Sequence, residues 1–91
     1  MSDQNEVLLQ AKIRLHSGKI MEIGVFDLSE GGCMIDRQSM RLTTDQRVLI
    51  KFSGFDYLAA YVRWVEDERA GLQFEHPIHE AVLDHIKATH C

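Results

Sequence analysis

The 91-residue chain is 45% hydrophobic and 26% charged, a balance that fits one globular domain and excludes a disordered or low-complexity chain. No apolar run approaches the roughly 20 residues of a membrane helix, and Val7-Leu8-Leu9 is too short for a signal-peptide core; a soluble, cytoplasmic protein without membrane insertion is expected. Ten Lys and Arg against 14 Asp and Glu give a net charge of −4, which argues against DNA or RNA, since duplex affinity comes largely from neutralising phosphates.

Residues 1–6, polar after Met1, read as a disordered or extended segment ahead of a domain at 7–90. In 11–16, Ala11, Ile13 and Leu15 alternate with Lys12, Arg14 and His16, the period of a half-buried strand. Ser17-Gly18 turns the chain into a second strand at 20–27, with Met21, Ile23 and Val25 on one face. A short third strand follows at 32–36, and Cys33 within it reads as a buried small side chain. In 47–52, Val48, Ile50 and Phe52 oppose Arg47, Leu49 and Lys51. In 57–66, Leu58, Ala60, Val62 and Trp64 share the inward face, with Tyr57, Tyr61 and Arg63 opposite; this discourages a base-stacking surface built on Trp64. In 70–75, Leu72 and Phe74 face inward.

Pro77 suits the first turn of a helix, Glu80 and Lys87 complement its dipole, and Ile78, Val82, His85 and Ile86 recur at helical spacing beside Leu83. The chain is therefore expected to be mainly β, a six-stranded antiparallel β-barrel with a short C-terminal α-helix at about 77–90 closing a mouth or packing on the side.

Two cysteines are too few for a disulfide framework, and Cys91 is terminal and expected to be mobile and inert. His76, His79, His85 and His90 lack the i, i+4 spacing that brings two imidazoles to one metal ion on a helix. Ser29 and Cys33 lack an adjacent base, and there is no nucleophile elbow or phosphate loop. No catalytic residue, metal or cofactor is expected, so a binding module is favoured over an enzyme. Phe55, Met40 and Leu42 fall in polar loops, where an apolar surface for a protein partner is expected.

The informative segment is Val25-Phe26-Asp27-Leu28-Ser29-Glu30-Gly31-Gly32-Cys33. The Asp27 carboxylate can accept two parallel N–H bonds, as from the Watson–Crick edge of guanine. On an extended chain Ser29 points the same way as Asp27, and Gly32 lets a ligand approach the backbone. The same pattern also describes an Asx-type turn with both side chains on local backbone. On the motif alone, turn chemistry comes first.

The wider pattern resembles the PilZ domain family. Asp27, Ser29 and Gly32 stand at the positions of its [Asp/Asn]-x-Ser-x-x-Gly hallmark. Val62-Arg63-Trp64 and Gly71-Leu72-Gln73-Phe74 are similar to its later Val-x-Trp and Gly-x-x-Phe pattern, and the resemblance spans about residues 7–88. It implies a six-stranded barrel with a C-terminal helix, a role in bacterial cyclic di-GMP signalling, and contact of Asp27 and Ser29 with guanine. Members that bind the nucleotide well carry an upstream Arg-x-x-x-Arg motif. Residues 1–10 here hold no Arg or Lys, and hold Asp3 and Glu6 instead. Lys12 and Arg14 are two apart, not four, and do not map to that motif.

Among other cations that could approach a phosphate from the side, Arg63 stands ahead of Arg37 and Arg41, although solvated surface charge is the simpler reading of each. Arg69, beside Asp67 and Glu68, reads as a turn residue. The expectation is a stand-alone PilZ-type adaptor with a protein partner and weak or absent cyclic di-GMP binding. Its candidate ligand residues are Asp27, Ser29, Gly32 and Arg63. The alternative is a structural or protein-interaction barrel, such as a homo-oligomer or assembly factor, with no nucleotide.

Overall fold

A computed structural model describes residues 9–38 and 40–88; the expected N-terminal segment 1–6, His90 and Cys91 lie outside them. Apolar residues at every second position produce the strands. In β1 (Leu9–Arg14), Leu9, Ala11 and Ile13 are buried while Gln10, Lys12 and Arg14 are exposed. The strand ends before Leu15 and His16 because the following turn claims Leu15. Its amide donates to the Lys19 carbonyl at 2.9 Å, and Gly18 at φ 94° reverses the chain.

β2 (Ile20–Phe26), β3 (Gly32–Asp36), β4 (Arg47–Phe52), β5 (Leu58–Glu66) and β6 (Arg69–Phe74) follow, then the helix α1 (Glu80–Ala88). The strands close into a barrel in the order β1-β2-β3-β6-β5-β4, every neighbouring pair antiparallel. The β1/β4 seam sets Ile13 against Ile50 and Ala11 against Phe52, all buried, so closure is driven by the core. Among the described residues no edge strand is left open.

Alternation of direction gathers the loops at two mouths. The β2–β3 loop, the β4–β5 loop and the end of β6 share one mouth, the one that α1 approaches. Leu28, Ile78, Leu83 and Ile86 are buried there in the same cluster as the barrel core, and Phe55 packs against it. The Phe55 and His85 rings meet edge to face at 5.6 Å. At the other mouth, Met40 and Leu42 of the β3–β4 loop are 4% and 7% exposed. These loop residues were expected at the surface as a docking patch. Instead they fold back as plugs, because an open barrel end leaves apolar interior to cover.

Three further expectations are corrected. Trp64 does not face inward: the β5–β6 register shifts between Val62 and Trp64, so Val62 opposes Leu72 while Trp64 opposes Gly71. Arg63 is the extra residue of this bulge, and both Arg63 and Trp64 are exposed. The helix begins at Glu80, after Pro77. His79 caps it instead, its Nδ1 accepting the Ala81 amide at 3.1 Å. On α1, Leu83 and Ile86 are buried, whereas Val82 is 36% exposed and His85 is exposed.

Candidate functional site

The hallmark residues lie in the loop that joins β2 to β3. The β2–β3 ladder stops at Phe26 opposite Met34, and the chain then leaves the sheet. Asp27 turns it, at φ 49°. Aspartate enters this left-handed region more readily than most side chains. Asp27 and Ser29 are therefore not presented in parallel from an extended strand, as the spacing suggested. Leu28 between them is buried, which anchors the loop to the mouth, while Asp27 and Ser29 remain exposed.

Ser29 is held locally. Its amide donates to the Gly32 carbonyl at 2.9 Å and its hydroxyl to the same oxygen at 3.2 Å. The loop is stitched to the rest of the mouth by the Phe74 amide donating to the Gly31 carbonyl at 2.9 Å and the Ile78 amide to the Glu30 carbonyl at 2.8 Å. The segment leading into α1 thus registers on the hallmark loop. The Asp27 carboxylate has no hydrogen bond or ion pair among the described residues, and is the uncommitted acceptor of the loop.

Gly32 has a packing reason of its own. A Cβ there would collide with the Leu72 carbonyl oxygen of β6. It lies opposite Gln73 in the β3/β6 ladder. Gln73 accepts a hydrogen bond from Arg63 Nε at 2.5 Å, which places Arg63 two strands away from the loop on the outer wall. The guanidinium is also paired with Asp45 at 3.0 Å. The structure therefore brings Asp27, Ser29 and Gly32 into one loop and ties Arg63 to it through Gln73, with Arg63 already neutralised. Arg37 is structural: it donates to the Asp67 carbonyl at 2.6 Å and the Met40 carbonyl at 2.8 Å.

An outer apolar row borders the loop. Phe26 opposes Met34, Met34 opposes Gly71, and Gly71 opposes Trp64, which crosses β2, β3, β6 and β5 in register. A Cβ on Gly71 would meet the Trp64 indole, so the ring lies flat over that glycine. The Arg69 guanidinium sits 3.9 Å over the Phe26 ring, a cation–π contact next to Asp27 in sequence. Arg69 thus belongs to the outer wall beside the loop, where the sequence suggested a turn residue. The period-two pattern carried the signal for Phe26 and Met34, which alternate with the buried Val25 and Ile35. Nothing in the alternation marked Trp64 or the reach of Arg69.

Cys33 follows the loop with its thiol buried, and burial pushes its pKa from the ordinary 9.0 up to about 12. Such a thiol is neutral and a poor nucleophile at physiological pH. Among the described residues there is no group of three or more His, Cys, Asp or Glu side chains that could hold a metal ion. No described helix is long and apolar enough to cross a membrane.

A family model of the PilZ domain matches residues 5–89. The chain belongs to the PilZ domain family. Its fold is also that of a crystal structure of the PilZ domain of CeSA from a cellulose-synthesizing bacterium. That structure is 17% identical in sequence, with a TM-score of 0.61, and the match covers 93% of this chain and 90% of that one. No curated protein matches the chain. PilZ domains are of the cyclic di-GMP-binding type and act as binding or adaptor domains.

Proposed function

We propose that this PilZ domain is a cytoplasmic adaptor of cyclic di-GMP signalling, acting through protein contact, with weak or absent affinity for the nucleotide. The observation that carries the reading is the state of the hallmark loop. Asp27 offers an uncommitted carboxylate, while the Ser29 hydroxyl is engaged by the Gly32 carbonyl and Arg63 by Asp45. Guanine recognition by Asp27 is supported. Grip on the two phosphates is not, because residues 1–10 contain no Arg or Lys. Charge-assisted hydrogen bonds contribute about 1.5–3 kcal/mol each. Two absent arginine grips correspond to several orders of magnitude in Kd, since about 1.4 kcal/mol is tenfold.

Calorimetric titration with cyclic di-GMP tests the reading. No submicromolar Kd is expected, and a submicromolar Kd overturns the reading. Asp27→Asn keeps the left-handed backbone and replaces one acceptor oxygen by an amide donor, so any residual binding is expected to vanish with the barrel intact. Unchanged binding in Asp27→Asn removes Asp27 from the site. A second reading, a protein-interaction barrel with no nucleotide, is favoured by the local engagement of Ser29. It predicts no rise in Tm at saturating nucleotide, whereas any ligand bound only to the folded state raises Tm.

A further inference from the structure

The outer face of the β1/β4 seam carries charge opposite in sign to the chain. Lys12 and Arg14 on β1 and Arg47 and Lys51 on β4 alternate with the buried residues of those strands. Lys12 lies directly across from Lys51 in the ladder. Like charges in that position destabilise a strand pair, with Cβ atoms only about 5 Å apart. Lys12, Arg14 and Lys51 have no ion pair among the described residues, and Arg47 reaches Glu75 at 3.3 Å. Glu22, across from Lys12, is the carboxylate that β2 brings to this face.

A groove of about 460 Å³ lies here, lined by Gln10, Lys12, Lys51, Ser53 and Gly54 as well as Glu22. A second, of about 370 Å³ and lined by Arg14, His16 and Arg47, extends the same seam. In the ring order this seam is opposite β3/β6.

We propose that this face docks a short acidic segment of a partner protein, with one carboxylate held between Lys12 and Lys51 and the next by Arg14. Lys12 and Arg14 are two positions apart on a strand, about 6.7 Å. Alternate side chains of an extended peptide share that spacing. Gln10 and Ser53 supply hydrogen-bonding groups for its backbone. A short segment is favoured over an extended polyanion or an anionic lipid surface because the net charge of −4 repels both beyond this face. Attraction is confined to the face by screening over about 8 Å at physiological salt. The inference deepens the adaptor reading and rests on it for its biological use; nucleotide titration reports on the hallmark loop and peptide titration on this seam, so either can fail alone.

The probe is a fluorescein-labelled peptide of alternating glutamate and alanine, followed by anisotropy with the full chain. Saturable binding that weakens with added salt is expected. Lys12→Glu/Lys51→Glu should weaken it at least about tenfold by charge reversal at contact distance. Arg41→Glu, an equal charge change per site elsewhere on the surface, should weaken it by less than about twofold through the net-charge effect alone. Should the double reversal fail to fold by circular dichroism, Lys12→Gln/Lys51→Gln serves, with a loss of about threefold or more expected. Absence of peptide binding, or binding indifferent to the lysine variants, overturns the proposal. So does tighter binding of phosphatidylserine vesicles or a single-stranded oligonucleotide that depends on the same lysines.

Discussion

Asp27 holds a backbone angle of φ 49° together with an exposed carboxylate. An alanine there costs about 1–2 kcal/mol in conformational strain, whereas asparagine tolerates the angle. Loss of binding in an alanine variant therefore mixes two causes, and Asp27→Asn isolates the chemical one. Cys33, six positions on, is governed by burial instead. Its folded pKa of about 12 lies above the ordinary 9.0, so the thiol is neutral in both folded and unfolded states below pH 9. Above that, the unfolded chain releases its proton first, and stability falls by about 1.4 kcal/mol per pH unit until the folded thiol ionises too. Cys33→Ala is expected to be about 1 kcal/mol less stable than the parent at pH 7. By about pH 10.5 that deficit should close or reverse, because the variant lacks the ionisation. Urea denaturation at both pH values measures it, and a constant deficit would place the thiol outside the dry core.

At the scale of elements, two glycines of the outer wall answer to different neighbours. Gly32→Ala drives a methyl into the Leu72 carbonyl, and backbone must move. Gly71→Ala meets the Trp64 indole, and a surface side chain can swing away. Gly32→Ala is therefore expected to cost about 1–3 kcal/mol or more by the usual penalty of overpacking. Gly71→Ala should cost less but shift Trp64 emission to the red as the ring leaves the wall. Denaturation followed by tryptophan fluorescence reads both; a red shift larger in Gly32→Ala than in Gly71→Ala contradicts the assignment. The same strands show what alternation can and cannot convey. Burial writes itself into every second residue, so all six strands were legible within about two residues, as was the PilZ hallmark. A bulge leaves no mark, because Leu58, Ala60, Val62 and Trp64 continue the period through the position where the register slips. The His79 cap was masked by Pro77, a commoner start signal. Plugging of a mouth by Met40 and Leu42 depends on barrel closure, which local sequence does not contain.

For the whole molecule, closure creates two open ends, and each is sealed by chain outside the sheet. At the hallmark mouth the seal is α1, whose Leu83 and Ile86 are 7% and 0% exposed and join the barrel cluster. A nine-residue helix is too short to be stable alone, so its order derives from this docking. The docking also holds the hallmark loop, through the hydrogen bond from Ile78 to Glu30. Undocking the helix should thus disturb the candidate ligand loop before the far mouth, which has its own plug and the Arg37 tether between the β3–β4 and β5–β6 loops. Ile86→Ala is expected to lose about 2–5 kcal/mol, a large part of the about 5–14 kcal/mol typical for a chain this long. Amide exchange locates the effect. In Ile86→Ala the amides of Ser29, Phe74 and Ile78 should lose protection more than those of Arg37 and Met40, all five being hydrogen-bonded to backbone carbonyls in the folded barrel. Uniform loss across both mouths would mean that the barrel opens only as one unit, and that the helix exerts no separate hold on the loop carrying Asp27.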